Sequence, residues 1–145
     1  MSAHPHFPIA PSRAADHPVV PPKILLIDDD PDCLLGLRLR LNSFAVQILA
    51  AYHGMHGIWM ATRERPALII TDERMPQGQG TYVLQCLKER LDTSSIPVIV
   101  LTGRRDAGLD ERLRHLGAVA VFHKPAAFDQ LRKAIASHIE LKERK

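Results

Sequence analysis

The stretch KILLIDDDPD, residues 23–32, passes within ten residues from a continuous apolar run to a cluster of acids. Ile24 to Ile27 is rich in leucine and β-branched isoleucine and stops abruptly at Asp28, which suits a short strand buried on both faces. Beyond the acids, Asp32 to Leu41 reads as a helix: Leu34, Leu37 and Leu41 line one face. Pro31 can occupy the first turn, where its missing N–H is not needed, and Asp30 is suited to cap it. The segment is therefore a strand, an acidic strand end and a helix, one β–α unit.

The same unit recurs down the chain. Ala45 to Ala51, Ala67 to Thr71, Pro97 to Leu101 and Val119 to Phe122 read as four further strands. Helical spacing is expected over His53 to Arg63, Thr81 to Arg90, Asp106 to Leu116 and Phe128 to Glu143, with Gly117 placed to end the fourth helix. Four of the five strands are apolar almost throughout, which predicts a parallel sheet covered by helices on both sides. Right-handed crossovers make this a doubly wound (βα)5 sandwich of the α/β class, with a five-stranded parallel sheet and its site beyond the carboxyl ends of the strands.

Composition narrows the function. With 145 residues, 46% of them hydrophobic and 24% charged, the chain suits one ordinary soluble domain. Residues 1–22 hold six of the eleven prolines and predict a disordered, extended tail, so that the domain occupies residues 23–145. The apolar runs are far shorter than the roughly 20 residues that span a bilayer, and the N-terminus lacks the layout of a secretory signal, so a cytoplasmic protein without a membrane partner is expected. Cys33 and Cys86 show none of the spacings of zinc or redox motifs. The net charge of +3 comes from scattered pairs such as Arg38 with Arg40 and Arg112 with Arg114; these read as solvated helix faces and not as a nucleic-acid interface.

Polar residues stand where the strands end: Asp28, Asp29 and Asp30 after the first, Asp72 after the third, Thr102 after the fourth and Lys124 after the fifth. In a doubly wound sheet these positions converge on one crevice. Carboxylates crowded together repel one another and need a cation, and hard oxygen ligands point to Mg2+, which binds one or two carboxylates plus a phosphate oxygen. Asp28, Asp29 and Asp72 fit that demand. A carboxylate can also be a nucleophile toward phosphorus, with Lys124 supplying an ammonium and Thr102 a hydroxyl for the transferred charge.

Four motifs carry a resemblance to a known family. KILLIDDDPD, TDERMPQGQG (71–80), IPVIVLTG (96–103) and FHKP (122–125) resemble, in order, the acidic pair, phosphoacceptor loop, hydroxyl-bearing strand and Lys-Pro of response-regulator receiver domains. The resemblance runs from residue 23 to about 142. It implies a flavodoxin-like strand order, Asp72 as phosphoacceptor, Thr102 and Lys124 as its catalytic partners, and Mg2+ held by Asp28, Asp29, Asp72 and the Arg74 backbone carbonyl. It also implies a cis bond before Pro125, self-catalysed phosphoryl transfer and autodephosphorylation without classical enzyme activity, and a sensor histidine kinase or histidine phosphotransfer protein as donor. The downstream target would be a protein meeting the fourth helix, fifth strand and fifth helix. Because only one helix follows Lys124, a stand-alone receiver is expected. One departure is visible: where receivers often carry Tyr or Phe, three residues before the lysine, this chain has Val121. Two alternatives remain at this stage, a haloacid-dehalogenase-like phosphatase using Asp28 and a docking module that is never phosphorylated.

Overall fold

The computed structural model describes residues 20–75 and 80–145. Most of the predicted tail, residues 1–19, and Pro76 of the Met-Pro motif lie outside them. The elements alternate as β1 (Lys23–Ile27), α1 (Pro31–Leu41), β2 (Gln47–Ala51), α2 (Gly54–Glu64), β3 (Leu68–Asp72), α3 (Gly80–Glu89), β4 (Val98–Thr102), α4 (Ala107–His115), β5 (Ala120–His123) and α5 (Phe128–Ala136). All four strand pairings are parallel, in the order β2-β1-β3-β4-β5. This is the expected α/β architecture. No helix among the described residues is long and apolar enough to cross a membrane.

Strand alternation feeds two cores. Leu25, Ile27, Ile69, Val98 and Val100 pack with Val83, Leu84 and Leu87 of α3 and Leu113 of α4. Ile24, Leu26, Ile70, Ile99 and Leu101 pack with Leu34 and Leu41 of α1 and Leu131 and Ile135 of α5. Each such side chain, fully buried, contributes roughly 1.5–3 kcal/mol, which explains why these strands stay apolar almost until they end. Asp30 caps α1 as expected, its carboxylate accepting from the Asp32 N–H at 2.9 Å. Gly117 follows α4 with φ +113, a left-handed conformation that a Cβ would oppose.

The boundaries shift in ways that matter. Asp72 and Thr102 are the last residues of their strands, paired with Leu101 and His123, so the sheet itself fixes their backbones. The expected long last helix is corrected: α5 ends at Ala136, and the chain turns back. Ala45 N–H donates to Lys142 O at 2.7 Å, Arg144 N–H donates to Ser43 O at 2.8 Å, and Phe44 bridges Glu143 in antiparallel fashion. Ile139 and Leu141 pack on the α1–α5 core. These tertiary contacts outweigh the helical propensity of LKERK, and they also claim Ala45, which delays β2 to Gln47.

Candidate functional site

The topology brings the strand ends together. Asp28 follows β1 and is 3% exposed; its N–H donates to Ala51 O at 3.0 Å. One carboxylate oxygen accepts the Asp30 N–H at 2.9 Å, and the other accepts from Lys124 Nζ at 2.8 Å. Lys124 thus reaches from the end of β5 across β4 and β3. On the way its Nζ passes 3.3 Å from Asp72 Oδ1. The Lys124 backbone is anchored to the fourth strand, its N–H donating to Thr102 O at 2.8 Å, and the Lys124–Pro125 bond is cis.

Asp28, Asp29 and Asp72 each offer an oxygen within 4.8 Å of the others. Asp28 and Asp72 are buried while Asp29 is exposed, so the cluster opens to solvent on one side. One ammonium cannot neutralise three carboxylates. Burial raises the Asp72 carboxyl above its usual range; the Lys124 charge works against this and the Asp28 charge adds to it. For Lys124, burial disfavours the charged form, but the hydrogen bond and charge of Asp28 and the charge of Asp72 outweigh it and raise its pKa. The donor set is all oxygen, compact and under-neutralised, which fits a hard divalent cation keeping some of its water.

Other expected residues are placed differently. Thr102 is fully buried and its hydroxyl accepts the Arg104 N–H at 3.0 Å; among the described residues it is hydrogen-bonded to neither Asp72 nor Lys124 through its side chain. The Arg74 side chain is exposed, two residues after Asp72. Val121 is buried against the core shared with Leu109 and Leu113. Phe122 packs on the opposite face of the sheet, as alternation along a strand requires, so its ring does not replace the missing aromatic.

Three neighbours of the site are given no role by the motifs. Glu73 is 3% exposed, with Oε1 3.7 Å from Arg104 Nη1 and Oε2 without a partner among the described residues. Cys33 Sγ lies 3.2 Å from Asp30 Oδ2 and 3.9 Å from Lys124 Nζ, at the mouth of an apolar groove of about 380 Å³ that Leu37, Leu101 and Phe128 also line. His123 Nε2 pairs with Asp110 of α4 at 3.0 Å. Glu73 follows a strand buried on both faces, and its sequence position alone does not tell it from an exposed loop acid. Cys33 stands three residues after Asp30 on α1, a spacing that carries no signal by itself.

Comparison with known proteins agrees with this geometry. The family model described as response regulator receiver domain matches residues 24–136. Sporulation initiation phosphotransferase F of Bacillus subtilis is 30% identical over 124 residues, covering 83% of this chain and 95% of that protein. Protein PilH of Pseudomonas aeruginosa is 32% identical over 114 residues, 78% of this chain and 93% of its own length. A response regulator receiver domain protein from Clostridium thermocellum superposes with a TM-score of 0.75 at 29% identity, covering 81% of this chain and 94% of that one. The receiver domain of a sensor histidine kinase from Pseudomonas aeruginosa, whose structure has a magnesium ion coordinated in the active site cleft, shares the fold with a TM-score of 0.74 at 22% identity, covering 81% and 97%. The family match over residues 24–136 favours the receiver reading over the phosphatase alternative. Strand order, converging strand ends and a family match over most of the chain lead to one assignment: this protein belongs to the response-regulator receiver family and is a two-component signalling domain, not a classical enzyme.

Proposed function

We propose that the receiver unit, residues 23–145, accepts a phosphoryl group on Asp72 from a histidine kinase or histidine phosphotransfer protein. The observation that carries this reading is the buried Asp72 carboxylate, 3.3 Å from Lys124 Nζ and clustered with Asp28 and Asp29. An Asp72 oxygen attacks phosphorus, the N–P bond of the donor phosphohistidine breaks, and the imidazole leaves with the electron pair. Lys124, already held between Asp28 and Asp72, meets the charge that develops on the phosphoryl oxygens, and the Thr102 hydroxyl donates to one of them after turning from Arg104. Mg2+, when bound, would supply further neutralisation of the same oxygens; Asp28, Asp29, Asp72 and the Arg74 carbonyl would hold it. Water then hydrolyses the acyl phosphate, and Arg74, overhanging the site, sets its rate. The response leaves through the surface of α4, β5 and α5.

Incubation with acetyl phosphate and Mg2+ tests this. The expected result is an acid- and alkali-labile, hydroxylamine-sensitive label that Asp72→Asn abolishes and chelation of the metal prevents. Retention of such a label in Asp72→Asn would refute the assignment. Failure of the wild type to bind Mg2+ or take label would favour a docking module instead.

A further inference from the structure

Glu73 is a buried carboxylate in a region where everything else is tied down. Its N–H donates to Leu101 O at 3.0 Å and its carbonyl accepts the Gly80 N–H at 2.6 Å. A side chain at Gly80 would collide with the Asp72 carbonyl and the Glu73 Cα, so the backbone is clamped between β4 and α3. Only the carboxylate is loosely served. Its side chain is 4% exposed, one oxygen faces Arg104 at the long distance of 3.7 Å, and the other has no partner among the described residues. Arg104, 45% exposed on its side chain, is held by its N–H to Thr102 Oγ1. Gly103 between them has open space where a Cβ would stand.

We propose that Glu73 is a positioning residue onto which Arg104 closes when Asp72 is phosphorylated, so that this pair reports the phosphoryl group to the loop between β4 and α4. The inference rests on Asp72 being the phosphoacceptor. A phosphoryl group adds roughly −1.5 to −2 of charge one residue from a carboxylate that lacks a full counterion, so the demand for a cation there rises. As Thr102 turns toward the phosphoryl oxygen it releases the Arg104 N–H, and the loop that carried the guanidinium outward is free to move. Arg104 can then present two N–H donors to the two Glu73 oxygens, an arrangement stronger than the single long contact it replaces. Val121 has no reach to perform this task, whereas Arg104 has both length and charge.

The test uses the full chain with Mg2+ and beryllofluoride, a phosphoryl mimic, and follows amide hydrogen exchange over residues 102–108. In the wild type, protection is expected to rise on the order of fivefold on adding beryllofluoride. Glu73→Gln, which keeps the shape and removes the charge, should lose most of that rise. Arg104→Gln should lose it too, and the double variant should be no worse than either single one. A rise that survives in Glu73→Gln would overturn the proposal, as would loss in Arg104→Gln alone, which would put the guanidinium on the phosphoryl group instead. Labelling of Asp72 by acetyl phosphate, measured on the same samples, separates the two levels. Absent label removes the phosphoacceptor reading and this inference with it, while normal label with an unchanged loop removes the inference alone.

Discussion

At the amino end of the sheet, Arg144 donates to the carbonyls of Asn42, Phe44 and Val46 at 2.8–3.2 Å, Lys88 Nζ donates to Ser94 O and Ile96 O, and the buried Thr93 hydroxyl donates to Leu87 O at 2.7 Å. Arg144 and Lys88 there meet neutral carbonyls that helix ends and loops leave over, and Lys23 at the start of β1 has its own carboxylate partner in Glu64 at 3.0 Å. At the carboxyl end, three clustered carboxylates and the neighbouring Glu73 have only Lys124 and, at a distance, Arg104 for counterions among the described residues. One end uses its polar groups for stability; the other keeps a demand for positive charge unsatisfied, which on the proposed reading a metal ion meets before a phosphoryl group arrives. The same sheet thus carries both roles because its parallel strands point every acidic terminus one way.

The difference between the two ends is most open to attack at Lys124. Lys124→Met should slow phosphoryl capture by about 100-fold or more, the usual scale for deleting one group aimed at developing charge, as read from the initial labelling rate. A loss under about tenfold would mean that Lys124 is chiefly a structural partner of Asp28. At the other end, Arg144→Ala should lower stability by about 2 kcal/mol through three lost hydrogen bonds to backbone, measured by thermal or denaturant unfolding. Its labelling rate should not change; a parallel loss of labelling would show that the two ends are coupled.

Asp72→Asn probes the same difference through stability. Because the folded pKa of Asp72 is raised, its ionised form weakens folding above that pKa and ceases to do so below the unfolded value. The asparagine variant should melt at a higher temperature than the wild type at pH 7 without Mg2+. That advantage should shrink as the pH falls through the folded pKa. A variant less stable than the wild type at pH 7 would contradict this electrostatic origin. The smallest effect is expected at Arg74: Arg74→Ala should change the acyl-phosphate lifetime by roughly threefold, in keeping with an exposed side chain that acts on water access and charge. Equal lifetimes would sink that role.

Most of the fold and site is legible in the sequence because the strand pattern and the site share one origin. Apolar runs that stop at Asp28, Asp72 and Thr102 mark both where the sheet ends and where polar groups gather. The length of α5 is not legible, since the helical period of its last residues is overridden by Arg144 and Lys142 contacting a loop about 100 residues away in sequence. The orientation of Thr102 is equally hidden, because a hydroxyl's partner is decided by the turn at Gly103 and Arg104. Glu73 is visible only as one acid among several. Its burial depends on α3 starting close against the end of β3, a contact that Gly80 permits and that no local pattern announces.

Phosphoryl capture and its relay to the β4–α4 loop both require that the group reside on Asp72. Brief labelling with acetyl phosphate and Mg2+, followed by borohydride reduction and peptide mapping, tests this directly, because an aspartyl phosphate is reduced to homoserine where it stood. Homoserine is expected at position 72 and at neither 28 nor 29. Homoserine at position 28 or 29, or a labelled chain with none at position 72, would contradict the assignment.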